Sequence, residues 1–219
     1  MKPVEAGASR FEFRQVAVLL EVTSCRAASV SQLLTGVTLA PDASIFYHLH
    51  RPFFQDSDRL PSYPNDFAGW AERDLGDAML AERLANLNLV RTPELATVRR
   101  EISIILAERL QQAGDTKTVR PGLEFIFCEP LMVEFGSGSV AHSAKDFVAL
   151  LRELPAETIG YHLFASFLAA DAPGFARWFR DQGHDGLAQQ LETFDPYLNC
   201  LEDNRQYLIE LIEEALRRP

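Results

Sequence analysis

Residues 44–49 read SIFYHL and residues 158–163 read TIGYHL, a separation of 158 − 44 = 114. The same offset holds upstream without a gap. It pairs Phe11 with Phe125, Phe13 with Phe127, Ala27 with Ala141, Ser29 with Ser143 and Pro41 with Pro155. It also pairs Ile45, Tyr47, His48 and Leu49 with Ile159, Tyr161, His162 and Leu163. These are nine identities over 49 − 11 + 1 = 39 positions, where average composition gives roughly two or three by chance. Leu33, Leu34 and Val37 face Phe147, Val148 and Leu151 in the same alignment, so apolar character is kept as well. After a deletion, Phe67 and Trp70 match Phe175 and Trp178. Self-similarity at a fixed period is the mark of a repeated structural unit. We therefore expect two homologous halves, residues 10–112 and 123–219, packed with pseudo-twofold symmetry. The stretch AGDTKTVRPG at 113–122, with its Gly, Pro and polar residues, reads as the linker between them.

Each half is expected to hold about four to five helices and one or two short strands, a mainly α (α+β) fold. Phe125, Phe127 and the run Leu131–Phe135 read as strand, and Gly136-Ser137-Gly138-Ser139 reads as a break after it. In the first half VAVLLEV (16–22) fits strand or helix equally, which leaves residues 14–28 open. Ser29 and Ser143 then stand where an N-cap belongs, and Gln32 and Asp146 three residues later complete capping boxes. Pro41 and Pro155 end these helices and start the next, which carries Ile45 and Leu49 in the first half. Asp66 reads as the cap of a helix with Phe67 and Trp70, and Asp77 as the cap of one with Leu80 and Leu84. Thr92-Pro93-Glu94 marks a further helix start. The last helix shows Tyr207, Leu208, Leu211, Ile212 and Leu216 at helical spacing.

Composition narrows the function classes. The chain has 219 residues with 21 Lys plus Arg against 31 Asp plus Glu, a net charge of −10, and is 47% hydrophobic. This is globular composition, long enough for a substantial core. The acidic balance argues against nucleic acid and anionic membrane surfaces, which need clustered cations. No apolar run reaches the roughly 18 residues of a membrane span, and MKPVEAGASRFEFRQ lacks a signal-peptide core. A cytoplasmic location follows as an expectation. Cys25, Cys128 and Cys200 are widely spaced, which suits neither a disulfide framework nor a zinc site.

The segments SIFYHLHRPFF, PNDFAGW and LAERLANLN resemble a bacterial family of uncharacterised proteins, the domain of unknown function DUF5752. Its members carry Y-[YF]-H-x-H-R, then P-N-D-F-x-x-W, then L-x-E-R-L-A. Here Tyr47, His48, His50 and Arg51 match the first motif. Pro64, Asn65, Asp66, Phe67 and Trp70 match the second, and Leu80, Glu82, Arg83, Leu84 and Ala85 the third. The resemblance covers most of the chain and implies no activity.

His48-Leu49-His50 is the sharpest chemical motif. On a strand the two imidazoles would share a face and bind one metal. On a helix they point about 200° apart, and the surrounding pattern favours helix. His48 is matched by His162, which suits a core histidine bonded to the backbone. His50 is matched by Phe164. The polar residues confined to the first half are His50, Arg51, Asn65, Asp66, Glu82 and Arg83. With His48 and Trp70 they form the candidate ligand-binding set, suited to a small polar or anionic ligand. The plainer account has Asp66 capping a helix, Asn65 making a turn and Arg51 pairing with Asp66 or Glu82. Glu82-Arg83 and Arg99-Arg100-Glu101 read as solvated faces.

No catalytic residue is assigned, because GxSxG, HExxH, GxGxxG and a phosphate loop are all missing. No cofactor is expected and the metal is left open. The favoured reading is a binding or regulatory module for a small polar ligand or a protein partner, with the first half carrying the site and the second acting as scaffold. The alternative is a metal-dependent hydrolase using His48, His50 and Asp66. A homo-oligomer joined through the terminal helices is a third expectation.

Overall fold

The computed structural model describes residues 10–55, 58–89, 94–164 and 174–217. Ten α-helices and two strands are present among them, a mixed α+β fold dominated by helix. Strand β1 (Phe11–Ala27) leads into α1 (Val30–Leu39), α2 (Asp42–Gln55), α3 (Asp66–Arg73), α4 (Ala78–Ala85) and α5 (Leu95–Ala113). Strand β2 (Phe125–Ala141) leads into α6 (Ala144–Glu153), α7 (Ala156–Phe164), α8 (Phe175–Asp181), α9 (Asp185–Thr193) and α10 (Leu201–Arg217). No described helix is long and apolar enough to cross a membrane.

The ambiguous segment 16–22 is strand. β1 and β2 form a two-stranded sheet. Arg14 meets Glu134, and Thr23 Oγ1 donates to the Phe127 carbonyl at 2.6 Å, so residue numbers fall on one strand as they rise on the other and the pair is antiparallel. The expected break at Gly136–Ser139 does not occur, because β2 runs on to Ala141. A Cβ at Gly136 would meet only the end of the exposed Glu12 side chain, 2.5 Å from its Oε1, which can swing aside.

The long strands are shared between two compact units. One unit contains β1 up to Ala17, β2 from Glu134, and α6–α10; the other contains β1 from Val18, α1–α5, and β2 up to Val133. Each F-x-F pair therefore packs with helices that follow the other strand in sequence. Phe11 and Phe13 are buried with Phe147, Leu151, Ile159, Phe175, Trp178, Phe179, Leu208 and Ile212. Phe125 stacks on Phe67 at 5.0 Å and meets Trp70 edge-on.

Local signals set the helix ends. The Ser29 side chain accepts from the Gln32 amide, and Gln32 Oε1 accepts from the Ala28 amide at 2.8 Å. Ser143 accepts from the Asp146 amide, and Asp146 accepts from the His142 amide. In both, the serine satisfies an amide that a helix start otherwise leaves orphaned, while the return bond goes to the residue before the cap, one further back than a capping box places it. Asp77 caps α4 and binds Arg109 of α5 at 2.8 Å. Thr92 and Pro93 lie outside the described residues, and Glu94 begins α5 without a side-chain cap. Arg99 is no solvated residue. Its guanidinium donates to the Val37 and Ala40 carbonyls and to Asp42, closing the end of α1 and the start of α2. Residues of 113–122 are likewise held: Asp115 accepts from Ser29 and Ser31, and the Val119 amide donates to Ala28.

Gly36 of α1 is a close-packing site. A Cβ there would lie 2.2 Å from Phe127 Cε2. Gly36→Ala should therefore cost about 1–3 kcal/mol through overpacking, read as a lower urea midpoint. An unchanged midpoint would mean that the Phe127 ring is not seated against α1.

Candidate functional site

The sequence-selected residues divide into a surface cluster and a set of core residues. His48 sits on the middle of α2, almost fully buried against Phe67, Phe125 and Phe127. Its Nε2 accepts the Cys128 amide at 3.1 Å. That assignment leaves the proton on Nδ1, which donates to Asp66 Oδ2 at 2.9 Å. Arg51, one helical turn further along α2, reaches the same carboxylate oxygen at 2.9 Å. One carboxylate thus gathers a buried imidazole from below and a guanidinium from the surface. The Arg51 side chain is 38% exposed and that of Asp66 13%.

Asn65, not Asp66, is the cap of α3. Its Oδ1 accepts the Ala68 amide and its Nδ2 donates to the Leu84 carbonyl, both from a buried position. Asp66 at the first helical position is favoured there by the helix dipole, and the shift by one residue frees its carboxylate for His48 and Arg51.

Tyr47 and Cys128 complete the cluster, and sequence reasoning did not select either as a site residue. Burial pushes the Tyr47 phenol up, with Arg51 opposing and Cys128 and Asp66 adding to the rise. Burial likewise raises the Cys128 thiol, again with Arg51 opposing. A protonated thiol is a poor nucleophile, and His48 Nε2 is already taken by the backbone amide of Cys128. The cluster is thus held together by hydrogen bonds and opposite charges. The signal available in sequence was the offset itself, since Tyr47 is shared with Tyr161.

The remaining selected residues lie elsewhere. His50 is fully buried, with Nδ1 against the Phe46 carbonyl at 2.8 Å and its ring stacked on Phe46 at 4.3 Å. Desolvation lowers its pKa to about 4, partly offset by the bond to Phe46. The helix separates it from His48, so the two imidazoles do not face one site. Trp70 is a core residue whose Nε1 donates to the Leu123 carbonyl at 2.9 Å. Glu82 is exposed on α4, and Arg83 pairs with Glu108 on α5 at a solvated position. Among the described residues no group of three or more His, Cys, Asp and Glu is placed to hold a metal ion.

The other unit repeats part of this arrangement with different residues. His162 Nε2 accepts the Arg14 amide at 2.9 Å. Donor and acceptor both keep the offset, since 128 − 14 = 114 and 162 − 48 = 114. There the cation is Arg14 of β1 and the acid is Glu134 of β2, 3.4 Å apart. Burial and Glu134 push the Tyr161 phenol up to about 12.

A family model described as "Family of unknown function (DUF5752)" matches residues 8–213. Among solved structures, the chain is similar to "The structure of OrfY from Thermoproteus tenax", with 26% identity and a TM-score of 0.81. That likeness covers 95% of this chain and 96% of the other. No curated protein matches.

Proposed function

This chain belongs to the DUF5752 family, and we propose that it is a binding or regulatory module. Its ligand is a small polar anion, met at the surface formed by Tyr47, Arg51 and Asp66. The observation that carries this reading is the Asp66 carboxylate held between buried His48 and half-exposed Arg51. The buried imidazole fixes the carboxylate, and the carboxylate fixes the guanidinium. A pre-positioned arginine loses less freedom on binding an anion than a mobile one. A cytoplasmic setting fits this reading.

We also attribute the chain to a tandem duplication of one ancestral half. Support comes from the offset of 114 shared by the sequence identities, both serine-capped helix starts and both histidine–amide bonds.

The test is a thermal-shift screen of small dicarboxylates with wild type, Arg51→Ala and Asp66→Asn. A stabilising carboxylate should lose its effect in Arg51→Ala, while the unliganded melting temperature moves little because exposed ion pairs contribute about 0–1 kcal/mol. Asp66→Asn should lower both binding and stability, since it disturbs His48. Stabilisation that survives Arg51→Ala places the ligand elsewhere. Co-purification of a protein bound through Arg51, with no small-molecule effect, would make the occupant a protein.

A further inference from the structure

The unit containing α6–α10 holds a cleft of about 290 Å³ lined by Arg10, Arg14 and Arg177, with Glu12 and Asp181 at the same opening. Phe11 and Trp178 supply its apolar wall. In a chain with net charge −10, this lining carries three cations against two acids. We propose that the cleft is a second binding site, which takes the phosphate group of a small phosphorylated molecule.

The strand pattern builds the cleft. Residues 10–14 read RFEFR. Alternation along a strand sends Phe11 and Phe13 into the core and leaves Arg10, Glu12 and Arg14 on the opposite face. The Arg14 backbone is fixed by the bond from its amide to buried His162. Arg177 and Asp181, four residues apart on α8, share a helix face. Trp178 is fixed by stacking on Phe147 at 5.2 Å. The charged side chains thus project from a strand and a helix whose inner faces are locked.

The cations have capacity for a ligand. Arg14 makes one long contact to Glu134 at 3.4 Å. Arg10 and Arg177 are exposed, and among the described residues neither forms an ion pair. Three guanidiniums suit the several oxygens and double charge of a phosphate better than a single carboxylate, because each fork binds oxygen pairs. Glu12 and Asp181 are placed to accept hydroxyl hydrogens of the molecule that carries the phosphate.

The cleft is particular to this unit. The offset places Glu124, Ile126 and Cys128 where Arg10, Glu12 and Arg14 stand, and the Trp70–Trp178 match places Gly69 and Arg73 where Arg177 and Asp181 stand. Arg73 there lies against Gly69 and over the Tyr63 ring. One cation remains where the unit with α6–α10 has three.

The test is calorimetric titration of the full chain with pyrophosphate, glycerol phosphate and succinate. Pyrophosphate and glycerol phosphate should bind saturably at millimolar concentration or below, weaken with added salt, and bind more tightly than succinate. Arg10→Ala/Arg177→Ala should weaken binding at least tenfold, and Arg10→Lys/Arg177→Lys should fall between. Both side chains are exposed, so the fold tolerates the changes. Arg51→Ala should leave this binding intact, which separates it from the Tyr47–Arg51–Asp66 surface. No saturable heat, equal binding of succinate, or binding unaffected by the double alanine variant overturns the proposal.

Discussion

Phe13→Ala should destabilise the unit built from α6–α10, and Phe127→Ala the unit built from α1–α5. Each ring is essentially without solvent exposure. Truncating such a phenylalanine costs about 3–5 kcal/mol through lost transfer energy and the cavity left behind. The units carry separate reporters, because the chain has two tryptophans, Trp70 near Phe125 and Trp178 near Phe11. In a Trp70→Phe background, Phe13→Ala should move the urea transition seen by Trp178. In a Trp178→Phe background, Phe127→Ala should move that seen by Trp70. The crossed combinations should respond less. If Phe13→Ala instead acts mainly on the Trp70 transition, β1 packs with its own following helices and the exchange of strands is wrong.

The second large effect is a pH dependence. His50 is held at about 4 by burial, against an ordinary value of 6.5. Between these values the unfolded chain binds the proton and the folded chain does not, so stability rises with pH there. The contribution is complete above 6.5 and lost as pH falls to about 4. The gap of 6.5 − 4 = 2.5 pH units corresponds to about 3 kcal/mol. His50→Phe should remove this slope, because the matching position Phe164 is a buried phenylalanine. Comparing urea stability of wild type and variant at pH 7 and pH 4.5 cancels the carboxylates common to both. Equal slopes in the two proteins would show that His50 titrates normally and is not buried.

Helix starts were legible because their causes are local. Ser29 and Ser143 cap their helices as the pattern required, with Gln32 and Asp146 returning their bonds to Ala28 and His142, one residue before the cap. The strand exchange was not legible. Phe11-x-Phe13 and Phe125-x-Phe127 present the same inner face, so nothing near either pair says which helices receive it. Gly136–Ser139 resembled a break because glycine and serine together signal turns more often than strand. In the site, His48, Arg51 and Asp66 were found together. His50 was selected for being polar and unmatched, and only burial reveals it as core. Cys128 escaped selection because its strand joins the Asp66 cluster from 62 residues further along the chain, 128 − 66 = 62. Arg10 and Arg14 escaped because their strand belongs with α8, far away in sequence.

The exchange of strands has a consequence for biosynthesis. During synthesis from the N-terminus, α1–α5 emerge before Phe125 and Phe127, so their aromatic pocket stays open until the ribosome has passed that point. Phe11 and Phe13 wait longer still, until Phe147 through Trp178 are available. Contacts this distant in sequence slow folding and keep sticky surface exposed on the nascent chain. Separating the gene product between residues 112 and 123 would deprive both fragments of their closing strand. The nascent chain therefore carries these aromatic faces uncovered until the strand and helices that close them have been made.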